Sequence, residues 1–122
     1  MKKKMELLAK DIYDWCIKKD LWGDCCIYFN GKAWASWDNW HDEDGVQIAD
    51  RLYEFKNRNP KKYFEYANPE TLSMSFEGSL YYVLNACTPG WVKLEKEFCN
   101  IFQKHDVYYE MGHAWNLSVY EN

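Results

Sequence analysis

The densest run of residues able to do chemistry is Asp38-Asn39-Trp40-His41-Asp42-Glu43-Asp44-Gly45, where carboxylates, an imidazole and an indole crowd together. Hard cations want several oxygen ligands, and Asp38, Asp42 and Asp44 could supply them. The spacing does not fit a calcium loop of the EF-hand kind. Aligned on Gly45, it puts Trp40 at the first ligand position and Arg51 where a bidentate glutamate belongs. The same acids suit a solvated loop whose charge complements the positive end of a following helix. The reading taken is therefore no metal and no cofactor.

Other catalytic patterns are equally thin. Cys16, Cys25, Cys26, Cys87 and Cys99 are odd in number, show no Cys-x-x-Cys spacing and sit mostly in apolar runs, as reduced structural thiols do. No local signature marks one of them as a nucleophile. His41, His105 and His113 are scattered without a zinc spacing. Glu77 and Glu110 neighbour apolar strands and are the candidate carboxylates for acid–base work, which would require burial to raise a pKa. Gly78-Ser79 lacks the flanking glycines and the lysine of a phosphate loop. No catalytic residue is assigned, and the chain reads as leaning away from enzyme function.

What remains is an aromatic excess. Seven tryptophans, ten tyrosines and six phenylalanines make 19% of 122 residues, many in polar company. Such rings can build a core and still leave some for a surface or a pocket. Stacking on single-stranded nucleic acid normally comes with a positive groove, and the net charge here is −4, so nucleic acid is not the expected ligand. Protein interfaces are enriched in Trp and Tyr and need no basic surface. No apolar run approaches the roughly 18 residues a membrane span needs. Met1-Lys2-Lys3-Lys4 is followed by charged rather than apolar sequence, so the expectation is no export and a cytoplasmic location, which suits unpaired thiols. Asn116-Leu117-Ser118 matches a glycosylation sequon that carries no meaning in that compartment.

The elements that must position these residues follow from periodicity. Residues 4–20 repeat apolar positions at helical spacing (Met5, Leu8, Ile12, Trp15, Cys16). Residues 24–37 read as a hairpin turned by Asn30-Gly31, with Ile27 opposite Trp34 and Tyr28 opposite Ala33. Asp44 with Gln47 suggests a capping box for a second helix, whose core face is Ile48, Ala49, Leu52, Tyr53 and Phe55 and which ends near Asn59-Pro60. Pro60 starts a short helical turn. Residues 71–76 alternate as a strand with Leu72, Met74 and Phe76 inward. Ser79–Ala86 is a short helix, and Thr88 is the expected cap of a longer one striped by Trp91, Leu94, Phe98, Ile101 and Phe102. Val107, Tyr109 and Met111 alternate, as do Trp115, Leu117 and Val119. A three-residue loop, Gly112-His113-Ala114, puts both sets on one face and Tyr108, Glu110, Asn116, Ser118 and Tyr120 on the other. The order α-β-β-α-β-α-α-β-β implies one α+β domain over residues 1–122, with a mostly antiparallel sheet of about five strands covered by helices.

Periodicity places Trp15, Trp91, Phe98, Phe102, Tyr109 and Trp115 in the core and leaves Trp37, Trp40, Tyr108 and Tyr120 without an interior role. The expected function is a non-enzymatic protein-binding module. Its acidic-aromatic surface comprises Trp37, Trp40, Asp42, Glu43 and Asp44, with Tyr108, Glu110 and Tyr120 as a second group. In composition alone, and with no residue carried over, the chain resembles accessory proteins of bacterial phages and conjugative elements. One form of the function is an inhibitor whose carboxylates imitate phosphates towards a basic groove. The alternative is a small enzyme or ligand-binding domain with an aromatic-lined pocket. A homodimer through the aromatic surface is the third arrangement to test.

Overall fold

The computed structural model describes residues 1–37 and 45–122. Its elements run α1 (Lys2–Lys18), β1 (Cys25–Phe29), β2 (Lys32–Ala35), β3 (Val46–Ala49), β4 (Leu52–Phe55), a 3-10 turn (Pro60–Lys62), β5 (Leu72–Phe76), α2 (Ser79–Leu84), α3 (Trp91–Lys104), β6 (Val107–Met111) and β7 (Asn116–Glu121). The fold is α+β, and the strands form one antiparallel sheet of seven in the order β3-β4-β2-β1-β5-β7-β6.

The strand count corrects the expected five, and one segment accounts for it. Residues 46–55 form the β3–β4 hairpin, not a second helix. The spacing of Ile48, Leu52 and Phe55 is helical, yet in the hairpin Ile48 is exposed and Leu52 and Phe55 join the cores on opposite faces of the sheet, so the decision lies outside the segment. Arg51 takes a left-handed backbone conformation (φ 67°) in the turn. Both turn carbonyls are then bonded by aromatic side chains from the α1 side of the sheet: Tyr13 Oη donates to Asp50 O (2.8 Å) and Trp22 Nε1 to Arg51 O (2.7 Å). Asp44, the proposed cap of that helix, lies outside the described residues.

Local sequence is followed more closely elsewhere. Asn30 and Gly31 both have positive φ, and β1 pairs β2 with Ile27 opposite Trp34 and Tyr28 opposite Ala33. Asn59 Oδ1 accepts from Lys61 N to start the Pro60 turn. Thr88 is not the cap of α3. Gly90 holds that position at φ 80°, with no side-chain capping bond.

The C-terminal hairpin keeps the expected faces but shifts register. Met111 pairs with Leu117 and Tyr109 with Val119, two residues along from a loop at 112–114. Gly112 N donates to Asn116 O, so His113, Ala114 and Trp115 form the loop. Trp115 is thereby released from the core face it was assigned to, and packs edge-on against Phe64 (5.6 Å) on the opposite side.

The two sheet faces carry separate cores. On one, α1, α2 and α3 cover Cys25, Ile27, Phe29, Trp34, Leu72, Met74, Phe76, Leu117 and Val119. On the other, Cys26, Tyr28, Ala33, Ala35 and Phe55 are covered by Phe64 and Ala67 from the non-helical connection between β4 and β5.

Candidate protein-binding surface

The first group of sequence-predicted surface residues lies at the edge of what can be placed. Trp40, Asp42, Glu43 and Asp44, with Asp38 and His41, fall outside the described residues. Trp37 is half-buried and packs against the second core. The second group is brought together. Tyr108 on β6 stands directly opposite Tyr120 on β7, their ring centroids 5.8 Å apart, and Glu110 stands opposite Ser118.

This surface exists because strand alternation sends two chemistries to opposite faces. Val107 and Tyr109 face α3 and join or pack against the helical core. Tyr108, Glu110 and Tyr120 point the other way, away from α1, α2 and α3. Part of that face is sealed. Ser118 Oγ donates to Tyr66 O (2.6 Å) and lies 3.1 Å from Ser73 Oγ. Asn68 Nδ2 and Thr71 Oγ1 both donate to Val119 O. These bonds draw residues 66–71 over β5 and β7 and bury Asn116 and Ser118, which the sequence placed on an outer face. They also put the sequon's asparagine out of solvent. Asn116 Oδ1 accepts from His113 N, while its Nδ2 is buried without a hydrogen-bond partner among the described residues.

Where the covering segment stops, a cleft of about 300 Å³ opens, lined by Tyr66, Glu110, Met111, Gly112 and Tyr120. Tyr66 is 55% exposed and Tyr108 42%. Glu110 has no hydrogen-bond or ion-pair partner among the described residues. Gly112 is required at the cleft wall, since a Cβ there would collide with Asn116 Oδ1 and approach Tyr66 Cβ to 2.9 Å. Tyr66 and Met111 were missed by sequence reasoning. Tyr66 lies in the run after Pro60 whose pattern predicts a helical turn, and Met111 alternates with Val107 and Tyr109 as an inward residue but lies exposed at the end of β6.

The cleft borders an open sheet edge. β6 has a neighbour, β7, on one side only. Gly112 N is directed at β7, and ladder alternation turns the backbone groups of Tyr109 and Met111 outward. The opposite edge, β3, is shorter and interrupted by a register shift between Gln47 and Ala49.

The thiols and histidines have structural surroundings. Burial pushes Cys26 up to about 12, and the neighbouring Cys16 thiol together with burial raises Cys25 well above the ordinary thiol value. Both shifts work against a thiolate nucleophile. Cys99 lies half-buried with Sγ 3.5 Å from Tyr109 Oη. His105 Nε2 is 2.6 Å from Asp11 Oδ2, tying α3 to α1, and His113 stacks on Trp115 at 5.8 Å and 11°. Glu77 is exposed at the end of β5. None of the described helices is long and apolar enough to cross a membrane. No protein-family model, no curated protein and no solved structure matches the chain.

Proposed function

We propose that the protein is a non-enzymatic binding module that engages another protein through the acidic-aromatic surface at the β6–β7 end of its sheet. The observation that carries this reading is the meeting of a regular, open edge strand with a cleft walled by the exposed Tyr66, the half-buried Tyr120 and a carboxylate, Glu110, that has no partner among the described residues. Tyrosine rings supply large contact area at low conformational cost, and outward backbone groups on an edge strand accept an added strand. The enzyme alternative is less well supported, because Glu110 is exposed where an acid–base role wants burial, and the buried thiols are shifted away from reactivity. The sequence run Asp38-Asn39-Trp40-His41-Asp42-Glu43-Asp44 carries the same acidic-aromatic chemistry and extends this reading to an inhibitor acting on a basic groove.

Site-specific photo-crosslinking tests the proposal. A photoreactive phenylalanine analogue replacing Tyr108 is expected to yield a discrete protein adduct in cells, while the same analogue replacing Tyr82, exposed on α2, yields none. An adduct of twice the chain mass would identify a homodimer. Equal, diffuse labelling at both positions would remove the basis for a binding surface here.

A further inference from the structure

We propose that the cleft between Tyr66, Tyr120 and Glu110 receives a lysine or arginine side chain from an extended segment of a partner protein that pairs with β6. The inference rests on the protein-binding reading above and names the chemistry it selects.

Charge distribution is the first argument. Residues 63–92 and 105–122 contain Glu65, Glu70, Glu77, Asp106, Glu110 and Glu121, but no lysine or arginine. These stretches build β5, β6, β7 and the segment over them, so the cleft lies in the part of the molecule without a lysine or arginine of its own. The acids around it are partly answered from elsewhere: Lys4 reaches Glu121 at 2.9 Å, and His113 lies 3.7 Å from Glu65. Glu110 is left without a partner among the described residues.

Ring chemistry is the second argument. Tyr66 and Tyr120 are cleft walls, and Tyr108 backs Tyr120. An ammonium or guanidinium over a tyrosine face is attracted by the ring quadrupole, and a nearby carboxylate adds to that attraction. The same pairing already occurs inside this molecule, where Lys32 Nζ lies 5.1 Å from the Phe29 ring centroid and 3.0 Å from Glu54. At about 300 Å³ the cleft is at the lower bound of small-molecule pockets, a size suited to one long side chain rather than a larger ligand.

Register is the third. Glu110 and Tyr108 share the non-helical face of β6, and a strand added beside β6 alternates its side chains between the same two faces. A cationic residue beside Glu110 would therefore enter the cleft from backbone pairing alone.

The test is a titration of the full chain, followed by amide chemical shifts, with three extended octapeptides. They alternate valine with lysine, with its uncharged isostere norleucine, or with glutamate. The lysine peptide is expected to shift Tyr66, the amides of 108–112 and Tyr120, with affinity about tenfold above the norleucine peptide. Glu110→Gln and Tyr66→Leu should each reduce that preference to within about twofold. Equal binding of lysine and norleucine peptides at this cleft would overturn the cation inference and leave the protein-binding reading standing. Lysine-peptide shifts confined to residues near 38–44 would overturn it in the same way. Absence of shifts with all three peptides would overturn both.

Discussion

The two faces of the sheet are built on opposite principles. The helical face is filled by large side chains, with Trp22, Phe76, Phe98, Phe102, Met74 and Leu80 essentially out of solvent. The other face mixes the small residues Cys26, Ala33, Ala35 and Ser73 with the rings of Tyr28 and Phe55, and the β4–β5 connection lies down on them, held by Phe64 and by side-chain bonds to backbone. A face closed by three helices leaves little to recognise. A face closed by one short segment ends in a rim, and the cleft at Tyr66, Glu110 and Tyr120 is that rim.

The contrast is open to direct attack. Phe98→Ala on the helical face should lower unfolding stability by about 3–5 kcal/mol, and Phe64→Ala on the other by only about 2, because an irregular segment can settle into the space it leaves. Denaturant midpoints measure both. Equal losses would mean that the two faces form one cooperative core. Amide exchange should show Phe64→Ala opening residues 60–71 while α1 and α3 stay protected.

A smaller effect sharpens the polar side of the comparison. Ser118→Ala removes the 2.6 Å bond to Tyr66 O and the contact with Ser73 Oγ, and should cost about 1–2 kcal/mol. The same substitution should broaden the resonances of Tyr66 and Glu110, since it releases the cleft wall. A cost without any change at the cleft would separate the sealing bonds from the candidate site.

The smallest effect concerns acid. At Asp11 burial pushes the carboxyl up, but the bonds from His105 and Lys104 outweigh it and hold the group below its ordinary value of 3.8. Glu54 is likewise held below 4.5, with the Trp34 and Lys32 bonds outweighing burial. A depressed folded-state pKa contributes stability that is present above the unfolded value and lost as pH falls through the folded one. Stability should therefore decline as pH drops below about 4, by at most ~1 kcal/mol per group because both are partly exposed. Asp11→Asn should flatten that decline and leave neutral-pH binding at the cleft unchanged. An unchanged acid profile would detach the α1–α3 tie from the stability of the helical face.

Much of the helical face was legible from residue order. The stripes Met5-Leu8-Ile12-Cys16 and Phe98-Phe102, the Asn30-Gly31 turn and the alternation of Leu72, Met74 and Phe76 are local signals, and local energetics decide them. The site was legible in part. Alternation alone placed Tyr108, Glu110 and Tyr120 together, but Tyr66 is held beside them by bonds between segments far apart in sequence: Ser118 Oγ to Tyr66 O, and Asn68 and Thr71 to Val119 O.

The sequence by itself determined the α+β class, the faces of the β1–β2 and β6–β7 strands and the inward stripes of α1 and α3, because each follows from side-chain period and turn chemistry within a few residues. The tertiary structure alone decided three things: that residues 46–55 are strands, that Trp115 leaves the helical core, and that a cleft forms beside β6. Each rests on partners distant in sequence: Tyr13 and Trp22 at the Asp50-Arg51 turn, Phe64 against Trp115, and the 66–71 segment over β7.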